Sequence, residues 1–372
     1  MVRMNALKGR APLFAKSCMI TLCDTPEPLP LQPVQGTPLL TWLVCLLEDG
    51  GCRRFSLLCP EGLRERAAAC FPKTDRLAFV TAADAEQLMQ ASRDPVLVIT
   101  GAALPIGSPE FSGDVCVFSA APGTPFPGSP LTAREGWISL RSTEDLSRVQ
   151  PLCKELALRR LEKQGAVIWD RQSCWADPTV RVDAGTELLP GTILRGSTVI
   201  GRNCRLGPNT LLENCRIGDG VTVNASQCYD AEVGDGTTVG PFAYLRPGTA
   251  VGRNCRVGDF VELKNSVIGD GTKVSHLTYV GDSDVGENVN FGCGTVTVNY
   301  DRARKHRTTI GNNCFIGCNT NLVAPVTLGD GAYTAAGSTI TEDVPANALA
   351  VARARQTVKE QWAKDHKRKE HK

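Results

Sequence analysis

The sequence has almost no net charge and few aromatic residues. Its 41 Lys and Arg residues are balanced by 39 Asp and Glu residues, which leaves a net charge of +2, and Phe, Trp and Tyr make up 6% of the chain. No basic block is interleaved with aromatic residues, so nothing indicates nucleic acid as a partner. The basic stretch from Lys364 to Lys372 is typical of a solvated tail.

Long apolar runs are also missing. No run reaches the roughly 18–20 apolar residues that a membrane-spanning helix needs. The N-terminus lacks the charged start, apolar stretch and small-residue cleavage site of a secretory signal. We therefore expect a soluble, cytoplasmic protein with no membrane partner.

Histidine is scarce, with 4 residues, whereas there are 16 cysteines. The cysteines form no Cys-x-x-Cys pair, and without a secretory signal we expect reduced thiols rather than a disulfide framework. A zinc carbonic anhydrase needs three histidine ligands, and only His276 and His306 lie outside the polar tail. We predict no metal site.

A six-residue repeat dominates the second half of the chain. Each copy opens with an aliphatic residue, and the residue two positions earlier is small. This period fits neither an amphipathic helix nor an alternating strand, but it suits a triangular coil of short parallel strands. Hexapeptide coils of this kind form left-handed helices in the proteins that they resemble. The two longest runs are Val233, Val239, Leu245, Val251, Val257 and Leu263, then Ile310, Ile316, Leu322, Leu328, Thr334 and Ile340.

Two departures from the repeat are informative. Four cysteines occupy the small position and are interpreted as compact apolar fillers: Cys204, Cys215, Cys255 and Cys314. Ile310 comes thirteen positions after Thr297, where the repeat needs six, and the polar segment 299–307 predicts a loop that leaves the coil. A long loop on a rigid scaffold favours a functional role over a merely solvated excursion.

The first half has a different pattern. Strands at 19–22, 54–59 and 96–100 alternate with helices at 38–47 and 61–69, which is typical of an α/β layer. Ser142 and Asp145 are placed to cap a helix that runs through Leu161 and stops near Gly165. We therefore predict an α/β domain at 1–141, a linker helix at 142–172, a parallel β-helix at 173–356 and a basic tail at 357–372.

Five stretches resemble one family specifically. They are residues 240–248, 261–265, 276–282, 298–301 and 322–326. From about Trp175 to Trp362 the chain resembles the acetyltransferase half of the bacterial bifunctional enzymes that are both glucosamine-1-phosphate acetyltransferase and N-acetylglucosamine-1-phosphate uridyltransferase. The resemblance implies a trimer with shared sites and acetyl transfer from acetyl-CoA to glucosamine 1-phosphate, a step toward UDP-N-acetylglucosamine and the cell-wall precursors of peptidoglycan.

The first half resembles the uridyltransferase half only faintly, as a degenerate, shortened nucleotidyltransferase-like domain. The glycine-rich nucleotide loop is replaced by residues 19–25, which contain no glycine to let backbone amides approach a phosphate. The family's magnesium-binding aspartate falls where this chain has Gly101 and Ala102, so a carboxylate ligand is missing. We expect that uridyl transfer has been lost.

The resemblance also implies roles for single residues. An amine attacks a thioester only when unprotonated, and His276 matches the base that this requires, with Glu262 expected to orient its ring and Asn299 to position the amine. Contacts to the phosphate and sugar are implied for Arg246, Lys264, Tyr279, Asn290 and Lys305. Contacts to acetyl-CoA are implied for Cys293, Tyr300, Cys318, Ala336, Arg353 and Arg355.

Two of these positions, and one further position in the loop, depart from the family pattern. Alanine is usual at Cys293, serine at Cys318, and glycine at Arg302 in the loop. Both cysteines lie two residues after an inward residue, so we expect their thiols to border the acyl channel and to make covalent inhibition by oxidants plausible. Two alternatives stay open, namely a hexapeptide acyltransferase acting on another acceptor and a non-catalytic scaffold or regulatory subunit, because a fold alone does not prove activity.

Overall fold

The computed structural model describes residues 16–22, 27–71, 74–92, 96–105, 117–120, 129–130 and 137–367. The chain divides into two compact units, Met1–Asn214 and Cys215–Lys372. Residues 23–25 of the replaced nucleotide loop and 368–372 of the basic tail lie outside the described residues. The domain boundaries at 141, 172 and 356 stay predictions.

The first unit begins with a six-stranded sheet whose first four strands are parallel. Helices α1 (Leu39–Asp49), α2 (Arg64–Ala68) and α3 (Ala82–Ala91) accompany it. Val96–Ile99 is buried throughout, as expected for a central parallel strand. This arrangement confirms the α/β layer. The sheet order is Leu77–Phe79, Arg54–Leu58, Ser17–Thr21, Val96–Ile99, Val117–Ala120 and Ser129–Pro130, with Ile138–Leu140 pairing separately with Ala102–Leu104 and Pro33–Val34 with Thr37–Pro38.

The predicted linker is helix α4 (Thr143–Lys163). Ser142 and Asp145 form a reciprocal capping box at its N-terminus, and Gly165 follows its end with φ of 101°. Six apolar positions of α4 are buried, Leu146, Val149, Cys153, Ala157, Leu158 and Leu161, so one face of the helix packs against the unit.

The rest of the first unit consists of short parallel strands at the predicted period. Ile200 and Leu206 are buried and point into the coil, whereas Arg205 faces outward. The strands are Val167–Ile168, Trp175–Ala176, Arg181–Val182, Glu187–Leu188, Ile193–Arg195, Val199–Ile200, Arg205–Leu206 and Leu211–Glu213.

The second unit repeats this pattern over many more coils. Taken by itself, each unit has short parallel strands of the left-handed β-helix type, which confirms the predicted fold. In the second unit the inward column Val239, Val257, Val274, Phe291 and Ile316 is paired in register. The four cysteines that were predicted to fill the small positions are buried, and each has at most 3% of its surface exposed.

The strands of the second unit are Arg216–Ile217, Thr222–Val223, Gln227–Tyr229, Glu232–Val233, Thr238–Val239, Tyr244–Leu245, Ala250–Val251, Arg256–Asp259, Glu262–Lys264, Val267–Ile268, Lys273–His276, Tyr279–Gly281, Ser283–Val285, Asn290–Phe291, Val296–Val298, Thr308–Ile310, Phe315–Ile316, Asn321–Val323, Val326–Leu328, Tyr333–Thr334, Thr339–Ile340 and Leu349–Ala350. Helix α5 (Trp362–Lys367) follows them. Within the described residues, no helix is both long and apolar enough to cross a bilayer.

The predicted loop lies between the strands Val296–Val298 and Thr308–Ile310. Both strands keep their places in the ladder, since Val298 pairs with Val323 and Thr308 pairs with Ser283. The segment 299–307 is therefore an insertion that leaves the coil geometry intact on either side. The loop is held on a rigid base.

Candidate active site

His276 and Asp259 lie next to each other on neighbouring coils. Nδ1 of His276 is 2.8 Å from Oδ1 of Asp259, and the two residues are register partners in adjacent parallel strands. Gly258 makes this close approach feasible, because a Cβ at that position would lie 1.8 Å from the carbonyl oxygen of Ser275. The hydrogen bond from His276 lowers the pKa of Asp259, so the carboxylate is ionised and accepts the Nδ1 proton. Nε2, the other ring nitrogen of His276, takes no part in this hydrogen bond.

The expectation that Glu262 orients His276 is corrected by these contacts. Glu262 lies on the next face of the coil, where its carboxylate accepts a hydrogen bond of 2.8 Å from Nη1 of Arg246. Its register partners are Tyr244 and Tyr279. Coil length explains the difference, because a coil of 17 residues places Asp259 at the position that orients the ring.

Three predicted phosphate-binding cations lie close together. Lys264, which is largely shielded from solvent, has its ammonium 3.9 Å from Oδ2 of Asp282. The neighbouring ammonium of Lys305 is the largest cause that lowers the pKa of Lys264, and the charge of Arg246 acts in the same direction. A set of cations that lowers the pKa of one of its members favours a bound anion.

Asp282 joins this cluster to Asn299. It is 4% exposed and accepts hydrogen bonds from the side-chain amides of Asn265, at 2.6 Å, and Asn299. Burial raises its pKa, but these two hydrogen bonds and the lysines outweigh burial, so its pKa lies below the usual value. The carboxylate is therefore a charged anchor for Asn299.

Tyr279 also reaches Asn299. The Asn299 amide lies 3.4 Å from the Tyr279 hydroxyl. Gly281 gives the ring its room, because a Cβ there would lie 2.2 Å from that hydroxyl. The structure thus brings together Tyr279, Asn299, Lys264, Lys305 and Arg246, which the sequence analysis had singled out separately.

Three of the predicted acetyl-CoA contacts, Cys293, Cys318 and Ala336, form a column that continues from His276 along the coils. The backbone N–H of Gly294 donates to the carbonyl of Leu277, and that of Asn319 donates to the carbonyl of Cys293, so Cys293 follows His276 by one coil and Cys318 follows Cys293. A Cβ on Gly317 would lie 2.6 Å from the backbone nitrogen of Ala336, which places Ala336 on the next coil. Both thiols are exposed and free.

The remaining predicted residues lie at the edges of this surface. Asn290 faces outward between Lys273 and Phe315 on the ladder. The side chain of Arg353 lies close to Gly337, because a Cβ added to Gly337 would be 3.7 Å from Cδ of Arg353. Arg353 therefore lies near the Ala336 end of the column. Tyr300 is 58% exposed, and Arg355 lies in the exposed segment that follows the last strand.

The sequence analysis missed Asp259, Asp282 and the pair formed by Asp301 and His306. Counting one coil back from His276 with the observed period of 17 would have found Asp259. Asp282 ends the stretch 276–282, which had been singled out for other residues. In the described part of the chain, no group of three or more His, Cys, Asp or Glu side chains is placed to hold a metal ion.

Comparisons with known proteins show which sequences and structures this chain is similar to. A family model described as bacterial transferase hexapeptide (six repeats) matches residues 230–265 and 307–342. The bifunctional protein GlmU of Brevibacillus brevis is 48% identical over 235 residues, which are 63% of this chain and 51% of that protein. The bifunctional protein GlmU of Clostridium acetobutylicum is 49% identical over 225 residues, 60% of this chain and 49% of that protein.

The chain spans about half the length of these curated relatives. Among solved structures, an Arabidopsis UDP-N-acetylglucosamine acyltransferase matches with 17% identity and a TM-score of 0.33, covering 50% of this chain and 68% of that one. The Francisella novicida UDP-N-acetylglucosamine acyltransferase matches with 14% identity and a TM-score of 0.30, covering 50% and 67%.

Proposed function

We propose that this chain, a relative of the bifunctional GlmU proteins over about 60% of its length, transfers an acetyl group from acetyl-CoA to the amine of glucosamine 1-phosphate. The product would be N-acetylglucosamine 1-phosphate, a precursor of UDP-N-acetylglucosamine. The observation that carries the proposal is the hydrogen-bonded pair of His276 and Asp259, which lies one coil from the exposed column that begins at Cys293. The same unit carries the cluster of three cations.

His276 acts as the general base in this scheme. The ammonium form of the sugar has no lone pair, so a proton must leave before nitrogen attacks the thioester carbonyl. With Nδ1 donating to Asp259, Nε2 of His276 is the nitrogen that takes this proton. Attack leaves a second acidic proton on nitrogen, which passes to solvent. The carbon–sulfur bond then breaks, and the imidazolium gives its proton to the departing CoA thiolate. The Asp259 carboxylate stabilises the imidazolium between these two steps.

The phosphate would lie among Arg246, Lys264 and Lys305. Arg246 offers a forked set of donors, whereas the two lysines act as compact charges. A dianionic phosphate relieves the mutual repulsion that lowers the pKa of Lys264. An acceptor without a phosphate lacks this gain, which favours a phosphorylated amino sugar over serine.

Asn299 would hold the amine near the thioester. Its side-chain N–H group is committed to Asp282, so its amide oxygen is the group available to accept a hydrogen bond from the amine. Asn299 is only 8% exposed, and this burial limits its movement. Positioning of this kind supplies on the order of several kcal/mol of barrier lowering in enzymes. Tyr279 and Asn290 complete the sugar contacts in this proposal.

Acetyl-CoA would lie along the column of Cys293, Cys318 and Ala336, with Tyr300 at its side and Arg353 and Arg355 as partners for its phosphates. The column presents small exposed side chains on successive coils. A thioester next to Cys293 would be one coil from His276. This spacing suits transfer to an amine held beside the base.

A trimer with sites shared between subunits is part of the proposal. Phe242, Phe260 and Leu277 form an exposed apolar column at one corner of the coils, each with 57% to 60% exposure. The rings of Phe242 and Phe260 stack at 5.5 Å, and Leu277 directly follows His276. Apolar surface of this kind beside a site supports coverage by a second copy of the chain.

Uridyl transfer is proposed to be lost. Gly101 and Ala102 stand where a magnesium-binding carboxylate would be required, and Ala102 is buried in a strand. The α/β layer therefore retains its packing without that ligand. Whether the first unit has acquired another ligand is a separate matter from the acetyl step.

The test is CoA thiol release by the purified chain with acetyl-CoA and a panel of acceptors. Glucosamine 1-phosphate should support turnover, whereas glucosamine, glucosamine 6-phosphate and serine should not approach its kcat/KM. Incubation with UTP and N-acetylglucosamine 1-phosphate should release no pyrophosphate. Equal turnover with unphosphorylated glucosamine would contradict the substrate assignment, and the absence of release with every acceptor would favour the scaffold interpretation.

A further inference from the structure

The loop 299–307 has internal structure that the site described above does not explain. Its two sides form an isolated antiparallel bridge between Tyr300 and Lys305. The backbone N–H of His306 donates to the carbonyl of Asn299 at 2.8 Å. The loop is therefore a closed hairpin that projects from the coil.

Asp301 lies at the centre of this hairpin. Its Oδ1 accepts hydrogen bonds of 2.7 Å from the backbone N–H groups of Ala303 and Arg304, and its Oδ2 is 2.7 Å from Nε2 of His306. The hydrogen bond from Arg304, together with those from His306 and Ala303, holds the pKa of Asp301 well below its usual value. One carboxylate thus joins the tip of the loop to its returning side.

The backbone conformation of Arg302 explains why the hairpin needs this support. Its φ of 77° lies in the left-handed region, which glycine adopts without strain and an arginine disfavours. The related family usually has glycine at this position. The hydroxyl of Tyr300 donates to the Arg302 carbonyl at 2.6 Å and adds a further restraint on the tip.

The two active-site residues on this loop are held in different ways. Asn299 is anchored outside the hairpin, on Asp282. Lys305 lies on the returning side of the hairpin, where it forms the bridge with Tyr300 and directly precedes His306. Its ammonium lies beside that of Lys264. Release of the hairpin would therefore displace Lys305 before Asn299.

We propose that Asp301 and His306 are positioning residues, which hold the loop closed around a left-handed Arg302 and so place Lys305 at the phosphate. This inference rests on the proposed acetyl transfer, because it assigns a purpose to one contact of that same site. Neither residue touches the reacting atoms. Their contribution is the geometry of the phosphate subsite.

The kinetic test compares the parent chain with His306→Phe, which keeps an aromatic ring but removes the hydrogen bond to Asp301. The KM for glucosamine 1-phosphate should rise roughly tenfold, the size expected when one hydrogen bond with a charged partner is lost. The kcat at saturating sugar and the KM for acetyl-CoA should stay close to the parent values. Asp301→Ala removes all three acceptor contacts and should give a larger rise.

Rescue separates positioning from a general loss of structure. Adding Arg302→Gly to His306→Phe lets the tip take its backbone conformation without strain, so the KM for the sugar should fall back toward the parent value. A matched control is Arg253→Gln, which breaks the ion pair of Arg253 with Asp270 at 2.8 Å elsewhere on the second unit. This control should leave both KM values unchanged.

A second measurement does not depend on activity. Trypsin cleaves after Arg304, inside the clamped hairpin. This cleavage should be faster in His306→Phe than in the parent chain. In the double variant with Arg302→Gly, it should be slower than in His306→Phe. If the parent fails to acetylate glucosamine 1-phosphate, the proposed function has failed and the cleavage rates alone decide the clamp. Parent-like KM values and cleavage rates in both His306→Phe and Asp301→Ala would overturn the inference.

Discussion

Asp259 accepts a hydrogen bond of 2.8 Å from Nδ1 of His276 across one coil of the β-helix. The parallel ladder produces this contact, because register partners on adjacent coils lie next to each other along the axis. The same ladder places Cys293 one coil beyond His276. His276, Asp259 and Cys293 therefore lie on a single line of the fold.

The first prediction concerns Asp259→Asn. The amide cannot stabilise the imidazolium as a carboxylate does, so kcat should fall by about 10²-fold while both KM values change little. Initial rates at saturating substrates measure this effect. Glu262→Gln is the comparison, since Glu262 contacts Arg246 instead, and it should act mainly on the KM for the sugar. A larger loss of kcat in Glu262→Gln would restore Glu262 as the orienting residue.

The second prediction concerns the cation cluster. Replacing Lys305 or Arg246 with alanine should raise the KM for glucosamine 1-phosphate about tenfold or more and leave the KM for acetyl-CoA unchanged. The dependence of that KM on salt should also weaken, because one fewer charge attracts the phosphate. Arg256→Ala, on an outward position of the neighbouring face, provides the control. Unchanged KM values in the Lys305 and Arg246 variants would place the phosphate elsewhere.

The third prediction concerns the thiols. Cys293 and Cys318 are exposed, whereas burial raises the pKa of Cys255, Cys314 and, to about 12, Cys153. N-ethylmaleimide should therefore label Cys293 and Cys318 first, with loss of activity, and acetyl-CoA should slow both labelling and loss. Peptide mass spectrometry with parallel rate measurements tests this.

A matched variant completes the thiol test. Cys293→Ala with Cys318→Ser carries small residues at both positions and should keep the parent activity while becoming insensitive to N-ethylmaleimide. Inactivation of this double variant at the parent rate would show that a different cysteine controls the activity.

The fourth prediction concerns pH. The folded-state pKa values of Asp259, Asp282, Asp284 and Asp301 all lie below their usual values. Groups of this kind stabilise the fold above their unfolded pKa, near 4, and lose that contribution as pH falls through the lower folded value. Urea midpoints should be flat from about pH 7 to pH 5 and decline below about pH 4. A decline that is complete above pH 5 would assign the dependence to other groups.

Much of the fold could be predicted from the sequence because its period is regular. The aliphatic residue of each hexapeptide must point into a narrow core, so Leu245, Val257 and Leu263 were assigned inward from the pattern and are at most 1% exposed. The helix capped by Ser142 followed from a local signal that needs no tertiary information. The loop followed from a break in the same period.

The contacts between coils could not be predicted in the same way. A strict coil of 18 residues would pair His276 with Gly258, whereas the observed coil of 17 residues pairs it with Asp259. A shift of one residue changes which side chain lies next to His276, so an even repeat does not point to Asp259. Glu262, which the resemblance had implied as the orienting residue, pairs instead with Tyr244 and Tyr279. The closure of the loop by Asp301 and His306 depends on hairpin geometry that the repeat does not encode.

The fifth prediction, His276→Ala, tests the central claim most directly. CoA release from acetyl-CoA with glucosamine 1-phosphate should fall by roughly 10²–10⁴-fold, the usual contribution of a general base. The KM for each substrate should stay near the parent value, and the circular dichroism spectrum and urea midpoint should match the parent, because His276 is exposed on the coil surface. A folded His276→Ala variant that releases CoA at the parent rate would contradict the account.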